Sequence, residues 1–390
     1  MERKIVVVAP TFNEEENIGG FITAVLEQHK KLPGYDLCVL ISDSHSPDRT
    51  GEIVQKIAAG NKKVIYLDVQ KRGLGLGLSR GLDYAVDKLG ADLLVTMEAD
   101  LSNDPKQLPE FIRKLETADL VIGSRYSSGG KITNWSWWRK ALSLGANLAL
   151  RLIAWAPNIH EFTNLYRAFK KEVWRDLRRK VSVHVDWLFV PAFLFEALET
   201  NLRVAEQPIV YFDRFGGRSK MHTLSYAKNL LHYALRYRIK KSASFFKFLV
   251  VGTMGFIINT VILVLGVQAG LSPSASGPLG AELAILSNFL WNNLWTFSDR
   301  KLTSWNQIPV KFIQFNVLSF GSVVIQYIFL KAGEIIFGMT RFKMTVVDLP
   351  VIRLITWYFI FYCAGVGVGL IWNFVMYSKV IWKKSKSLTR

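Results

Sequence analysis

Glu98 and Asp100 lie one residue apart, where the apolar run Val95-Thr96-Met97 gives way to the turn Leu101-Ser102-Asn103-Asp104-Pro105. A buried strand that ends acid-x-acid presents two carboxylates at its mouth, a donor set suited to a hard divalent cation carrying a diphosphate. Solvated strand exits produce acid pairs as well, so the pair alone leaves both readings open. Glu14, Asp43 and Ser124-Arg125-Tyr126 also follow apolar runs. They become neighbours of the acid pair if those runs are strands of one sheet.

The runs have that character. Ile5-Val6-Val7-Val8-Ala9 is continuous and β-branched, the pattern of a strand covered on both faces of a parallel sheet. Pro10 stops it, and Thr11-Phe12-Asn13-Glu14-Glu15-Glu16-Asn17 supplies capping residues and first-turn acids for a helix over roughly 15–31. Leu37 to Ile41 leads to Ser42-Asp43-Ser44-His45-Ser46-Pro47-Asp48 and a second helix. Val64 to Leu67, Leu93 to Met97 and Leu120 to Gly123 continue the rhythm. Strands alternating with helices predict a doubly wound, mainly parallel α/β sheet, whose ligands collect beyond the carboxyl ends of its strands. Gly73-Leu74-Gly75-Leu76-Gly77 lacks the spacing and position of a dinucleotide fingerprint, and serves either as a flexible loop or as a close-packed helix start.

The chain has 390 residues, enough for more than one domain, and turns strongly apolar near residue 240. A net charge of +18 points to nucleic acid or to an anionic membrane surface. The basic residues crowd the flanks of apolar segments, as in Arg236-Tyr237-Arg238-Ile239-Lys240-Lys241 and Lys383-Lys384-Ser385-Lys386, so the lipid bilayer is the expected partner and nucleic acid is not. Cys38 and Cys363 stand too far apart in sequence to suggest a disulfide framework, and a reducing cytosolic face is compatible. The start Met-Glu-Arg-Lys enters a strand without a signal-peptide pattern, which predicts a cytosolic soluble half. Four apolar segments, at about 245–269, 278–298, 309–338 and 352–382, each approach or exceed the roughly 20 residues needed to cross a bilayer. An even number of crossings returns the basic tail 383–390 to the cytosol, giving a multi-pass protein of the cell membrane. Two amphipathic helices precede them, at about 135–156 and 224–244, with tryptophans, tyrosines and cations suited to the headgroup level.

Four motifs then occur in order: Pro10-Thr11-Phe12-Asn13-Glu14, Asp43-Ser44-His45-Ser46-Pro47-Asp48, Glu98-Ala99-Asp100-Leu101-Ser102 and Gly123-Ser124-Arg125-Tyr126. Together with Trp138-Arg139-Lys140, Ser143, Gly145-Ala146-Asn147, Asp213-Arg214, Ser219 and Lys220, they resemble the inverting glycosyltransferases of family 2. The resemblance is strongest to the dolichol-phosphate mannose synthase branch and covers about residues 4–225. It implies a GT-A-type catalytic domain over 1–223 that passes a hexose from a nucleotide sugar to a polyprenyl or dolichyl phosphate. In that reading Pro10, Phe12, Glu14, Ile41, Asp43, Glu98, Ala99, Asp100, Arg214 and Lys220 hold the donor. Glu98, Asp100 and Ser102 take Mg²⁺ or Mn²⁺, and Arg125, Arg139 and Ser143 grip the lipid phosphate. Asp100, Arg125 and Arg139 carry the catalysis. An anionic phosphate needs no general base, only desolvation and aim, and a guanidinium can hold its oxygens bidentately. The segment 212–220, with Gly216-Gly217 as a hinge, is expected to close over the loaded donor.

The family usually has two adjacent acids where this chain has Asp43-Ser44, an aspartate at Glu98, and Asp-x-Thr-Ser-Gly-Phe-Arg where it has Glu161 to Arg167. The expected donor is GDP-mannose, with UDP-glucose as the alternative. Farther on, Phe248-Leu249-Val250-Val251-Gly252, Gly255, Asn259 and Ser287-Asn288-Phe289-Leu290-Trp291-Asn292-Asn293 resemble the GtrA-like four-helix membrane domain, over about 245–382. Its asparagines should find partners inside the bundle. A processive polysaccharide synthase would carry a Gln-x-x-Arg-Trp stretch, which this sequence lacks. A non-catalytic lipid-sugar translocase or scaffold is the remaining alternative, and homo-oligomerisation is compatible with either.

Overall fold

Parallel strands form where the chain is apolar on both faces, and β1 (Arg3–Thr11) shows the pattern residue by residue. Val6 and Val8 enter one core, while Ile5, Val7 and Ala9 enter a second on the opposite face of the sheet. All five are fully buried, each larger side chain contributing about 1.5–3 kcal/mol through removal from water. The computed structural model describes residues 2–70, 72–213, 223–271, 273–337 and 357–383. It divides into two units, Met1–Arg238 and Ile239–Arg390.

In the first unit α1 (Ile18–Glu27), β2 (Tyr35–Asp43), α2 (Thr50–Gly60), β3 (Val64–Asp68), α3 (Leu74–Asp87) and β4 (Leu93–Thr96) follow in the expected alternation. Next come α4 (Leu108–Lys114), β5 (Leu120–Ser124), β6 (Lys131–Ile132), α5 (Trp137–Ala154), β7 (Arg167–Lys170), α6 (Lys171–Val181), α7 (Phe189–Leu198), β8 (Val204–Pro208) and β9 (Val210–Tyr211). Seven strands make one sheet in the order β3-β2-β1-β4-β7-β5-β8, and β6 pairs with β9 apart from it. The sheet is parallel except at β7, which runs antiparallel between β4 and β5, with Thr96 opposite Arg167 and Ile122 also opposite Arg167. The sequence reading had no strand there, because β7 is four residues long and carries a charge at each end.

The second unit is helical. The basic segment at 224–244 and the first apolar segment at 245–269 form a single helix, α8 (Thr223–Gln268), rather than two. No glycine or proline interrupts it before Gly252, so helix propensity continues while composition changes. α9 (Pro273–Trp291) ends in a π-helical turn, Asn292–Thr296, and is followed by α10 (Ile308–Phe337) and α11 (Trp357–Met376). Three of the four helices are long and apolar enough to cross a membrane among the described residues, α9 being the exception. Phe289, Phe297, Phe315, Tyr377 and Trp382 form its aromatic core. Asn293 accepts hydrogen bonds from the Leu302 backbone (2.8 Å) and the Trp382 indole (2.9 Å). Asn288 fills the space that a side chain at Gly255 would need, and Asn259 does the same at Gly280, a reciprocal fit of α8 and α9. The Asn288 and Asn292 amide oxygens are buried without hydrogen-bond partners.

Candidate functional site

Loops at one edge of the sheet wall a cleft of about 330 Å³. Pro10, Thr11, Phe12 and Glu14 come from the exit of β1, Ser44 from that of β2, and Glu98, Ala99 and Asp100 from that of β4. Gly73 and Leu74, at the start of α3, and Trp187, ahead of α7, complete the lining. The convergence follows from topology: β2, β1 and β4 are adjacent and parallel, so their carboxyl ends open together. Each exit carries one non-glycine residue in left-handed backbone, Asn13 (φ 55°), His45 (φ 52°) and Leu101 (φ 58°). Asparagine and histidine visit this region comparatively readily. Leucine does not, at a cost of about 1–2 kcal/mol, and the strain sits directly after Asp100, where Leu101 packs on the second core.

Asn103 Nδ2 donates to Glu98 Oε2 at 2.6 Å, and the Ser102 amide and hydroxyl donate to Asp100 Oδ1 at 3.1 and 2.6 Å. These neutral donors orient both carboxylates. No group of three or more His, Cys, Asp or Glu side chains is placed to hold a metal among the described residues. Two carboxylates fit a divalent ion that completes its shell with diphosphate and water oxygens. Ser102, expected as a third ligand, is fully buried with its hydroxyl turned to Asp100, so it orients that carboxylate.

Ile41 and Asp43 are buried and do not line the cleft. Ile41 belongs to the second core. Asp43 is buried and accepts hydrogen bonds from Thr11 Oγ1 (3.0 Å), Ser46 N (3.0 Å) and Ser46 Oγ (2.5 Å), tying the first strand exit to the second. Of the segment expected to close over the donor, Phe212 and Asp213 are described, while residues 214–220, with Arg214 and Lys220, lie outside the described residues.

The two arginines differ. Arg125, expected at a lipid phosphate, is instead buried against Glu161, with Nε and Nη2 donating to its two oxygens at 2.7 and 2.9 Å and Nη2 also reaching Thr163 Oγ1 at 2.9 Å. Burial opposes both charges, but each sustains the other: the Glu161 carboxyl is held below the usual range and the Arg125 guanidinium above it. Tyr126, Trp135 and Tyr211 surround that guanidinium, their ring centres 5.2 to 5.5 Å from its carbon. Arg139 stacks on the Trp135 ring at 3.9 Å and pairs with Asp213 at 3.2 Å, where both side chains are partly exposed. Ser143 lies one turn along α5 from Arg139 and faces the Tyr126 hydroxyl, though not in hydrogen-bonding geometry.

Tyr211 links the acids to the arginines. Burial, with Glu98 and Asp100 nearby, pushes its hydroxyl up to about 12, while Arg125 pulls the other way. Its ring meets Trp135 edge-on at 5.5 Å. Sequence reasoning passed over Tyr211, Trp135 and Trp187 as site residues because they are neutral and come from distant segments. A signal for Trp187 was present in the glycines. A side chain at Gly75 would collide with the His184 carbonyl, and one at Gly73, already at φ 107°, would come within 2.7 Å of the Val185 carbonyl. The Leu76 amide donates to that same Val185 carbonyl at 3.1 Å, so the loop carrying Trp187 is seated on the start of α3.

The 161–167 segment has a structural task as well. Arg167 is buried and donates to the carbonyls of Asn164 (3.0 Å), Val190 (2.6 Å) and Phe162 (3.0 Å), and burial lowers its guanidinium to about 10. On the surface, α5 buries only Asn147, Leu150 and Ala154. Trp137 is 80% exposed, with Trp138, Leu142, Leu144, Leu148 and Leu152 also open.

Comparison with known proteins follows the same division. The "Glycosyl transferase family 2" model matches residues 6–178, and the "GtrA/DPMS, transmembrane domain" model matches residues 247–382. A "Dolichol-phosphate mannosyltransferase" of Pyrococcus furiosus is 29% identical over 333 residues, 83% of this chain and 89% of its own. A "Polyprenol monophosphomannose synthase" of Mycolicibacterium smegmatis is 32% identical over 222 residues, 56% of this chain and 81% of its own. A crystal structure of glucosyl-3-phosphoglycerate synthase from Mycobacterium tuberculosis, in complex with Mn²⁺, UDP and phosphoglyceric acid, aligns with a TM-score of 0.45 at 19% identity, over 60% of this chain and 78% of that one.

Proposed function

The chain belongs to glycosyltransferase family 2, and from that membership and its likeness to polyprenyl-phosphate mannosyltransferases we propose that it transfers mannose from GDP-mannose to a polyprenyl phosphate, with inversion at the sugar. One observation carries the reading. Tyr211 stands between an acid pair on a donor-sized cleft and a cluster of two arginines, so a diphosphate on one side and an anionic acceptor on the other would meet across a single residue.

In the proposed step an acceptor phosphate oxygen attacks the anomeric carbon, a new carbon–oxygen bond forms, and the bond to the donor diphosphate breaks. The nucleoside diphosphate leaves with the electron pair. The acceptor is already ionised, so no side chain has to remove a proton. Glu98 and Asp100 would hold Mg²⁺ or Mn²⁺, which offsets charge on the departing diphosphate when bound. Pro10, Phe12 and Glu14 wall the nucleoside end, and Asp43 keeps their turn in place. Arg139 and Ser143 receive the acceptor phosphate, with Arg125 as the fixed charge beneath them. Arg214 and Lys220 remain assigned to the donor.

The exposed apolar face of α5 favours a headgroup-level position that brings Arg139 to a lipid phosphate. The domain limits of the sequence reading, a multi-pass anchor and a cytosolic catalytic face in the cell membrane complete the proposal. Purified protein, polyprenyl phosphate and Mg²⁺ or Mn²⁺ are to be incubated with GDP-mannose and, separately, UDP-glucose. Mannosyl lipid from the first alone supports the assignment. Glucosyl lipid from the second would reassign the donor, and no product from either would overturn the enzymatic reading. Asp100→Ala should abolish transfer while membrane insertion is retained.

A further inference from the structure

Buried polar atoms almost always have partners, so orphans beside a binding site are places where a ligand atom or a water would bind. Two side chains of the arginine cluster carry such atoms. The Trp135 indole N–H and the Tyr126 hydroxyl are each sealed from solvent without a hydrogen-bond partner, as is the hydroxyl of Ser127 next in sequence. Trp135 lies between the cations, with Arg139 at 3.9 Å from its ring centre and Arg125 at 5.5 Å. Tyr126 lies over Arg125 at 5.5 Å, its hydroxyl facing Ser143. Both orphaned groups can donate, and an indole N–H can do nothing else. Donors beside guanidinium groups call for an anion with several acceptor oxygens.

We propose that the Trp135 indole N–H and the Tyr126 hydroxyl complete the acceptor-phosphate pocket, donating to unesterified oxygens of a polyprenyl phosphomonoester. The inference rests on the acceptor reading above and deepens it by adding two positioning residues. Arg125 has its Nε and Nη2 engaged by Glu161 and Thr163, and so serves as the rigid post against which both rings are set. Arg139 is the exchangeable cation, because its partner Asp213 is held in a partly exposed pair of the kind worth little net energy. A monoester phosphate offers one more unesterified oxygen than the glycosylated diester product. The two neutral donors therefore favour substrate over product and assist release once the sugar has been transferred.

The test is a titration of polyprenyl monophosphate into the full chain in nanodiscs without donor, with unphosphorylated polyprenol and inorganic phosphate as separate arms. Tyr126→Phe and Trp135→Phe should each weaken polyprenyl phosphate about tenfold, the loss expected for one hydrogen bond to a charged group. The KM for the nucleotide sugar and the melting temperature should stay unchanged, and polyprenol should be insensitive. Inorganic phosphate should bind weakly and lose affinity in the same variants. Preference for monophosphate lipid over glycosylated lipid should narrow in both. Unchanged acceptor affinity in both variants, while Arg139→Ala weakens it, overturns the inference and leaves the acceptor site standing. Unchanged affinity in Arg139→Ala as well overturns the acceptor reading itself. Should Trp135→Phe fail to fold, Tyr126→Phe, which removes a single oxygen, decides alone.

Discussion

Arg125 and Arg139 share an aromatic neighbour, Trp135, but live under different physics. The Arg125 and Glu161 side chains are 7% and 0% exposed, whereas those of Arg139 and Asp213 are 38% and 43% exposed. In the buried pair each charge has lost its water, and bidentate contact replaces it, so removing one partner strands the other. In the outer pair both groups keep much of their hydration, and the contact can be exchanged at small cost. The cation that holds architecture and the one proposed to receive a ligand are thus separated by depth.

The largest expected effect comes from breaking the inner pair. Glu161→Gln should lower stability by about 3–5 kcal/mol, read as a fall in denaturant midpoint for the purified chain, because a buried guanidinium loses its counter-charge. A loss below about 1 kcal/mol would erase the distinction between the pairs. Next, Arg139→Ala should leave that midpoint nearly unchanged while lowering kcat/KM for the lipid acceptor by about a hundredfold, as expected when a charged contact to the reacting phosphate is lost. A collapse in stability instead would make Arg139 a second structural post.

Acid titration sharpens the contrast. Burial opposes ionisation of Glu161, yet Arg125 and Thr163 hold its carboxyl below the ordinary value of 4.5. The folded state therefore binds fewer protons than the unfolded chain in that window. The contribution of Glu161 is present above about pH 4.5 and lost as pH falls through the lower folded value. The difference in melting temperature between the wild type and Glu161→Gln should accordingly shrink on acidification, and a constant difference down to pH 3 would argue against it. The smallest effect is expected at Asp213→Ala, under 1 kcal/mol in stability, with acceptor KM unchanged or lowered a few-fold in transfer assays. A raised acceptor KM would mean that Asp213 aids the acceptor rather than competing with it.

The sheet was legible because β1, β2 and β4 are apolar on both faces, and the strand-exit rule then gathered Glu14, Glu98 and Asp100 at one cleft. β7 was hidden by its brevity and its terminal charges. Arg125 looked like a ligand group because its partner Glu161 is 36 residues away, beyond the reach of any local pattern. Asp43 was legible as important but not as internal, since only the folded chain brings Thr11 within 3.0 Å of it. The break expected near residue 244 reflected a change of surroundings, to which backbone hydrogen bonding within α8 is indifferent.

The fit of Asn288 against Gly255 and of Asn259 against Gly280 bears on how the bundle is made. Among the described residues, α8 is long and apolar enough to cross a membrane, and α9 falls short of that measure. An amide on either helix is costly in hydrocarbon until the other helix covers it. Pairing of α8 with α9 is therefore expected to accompany their burial in apolar surroundings, each helix covering the amide of the other. Each asparagine thereby closes a gap that the facing helix leaves, which ties the pairing of α8 and α9 to these four positions.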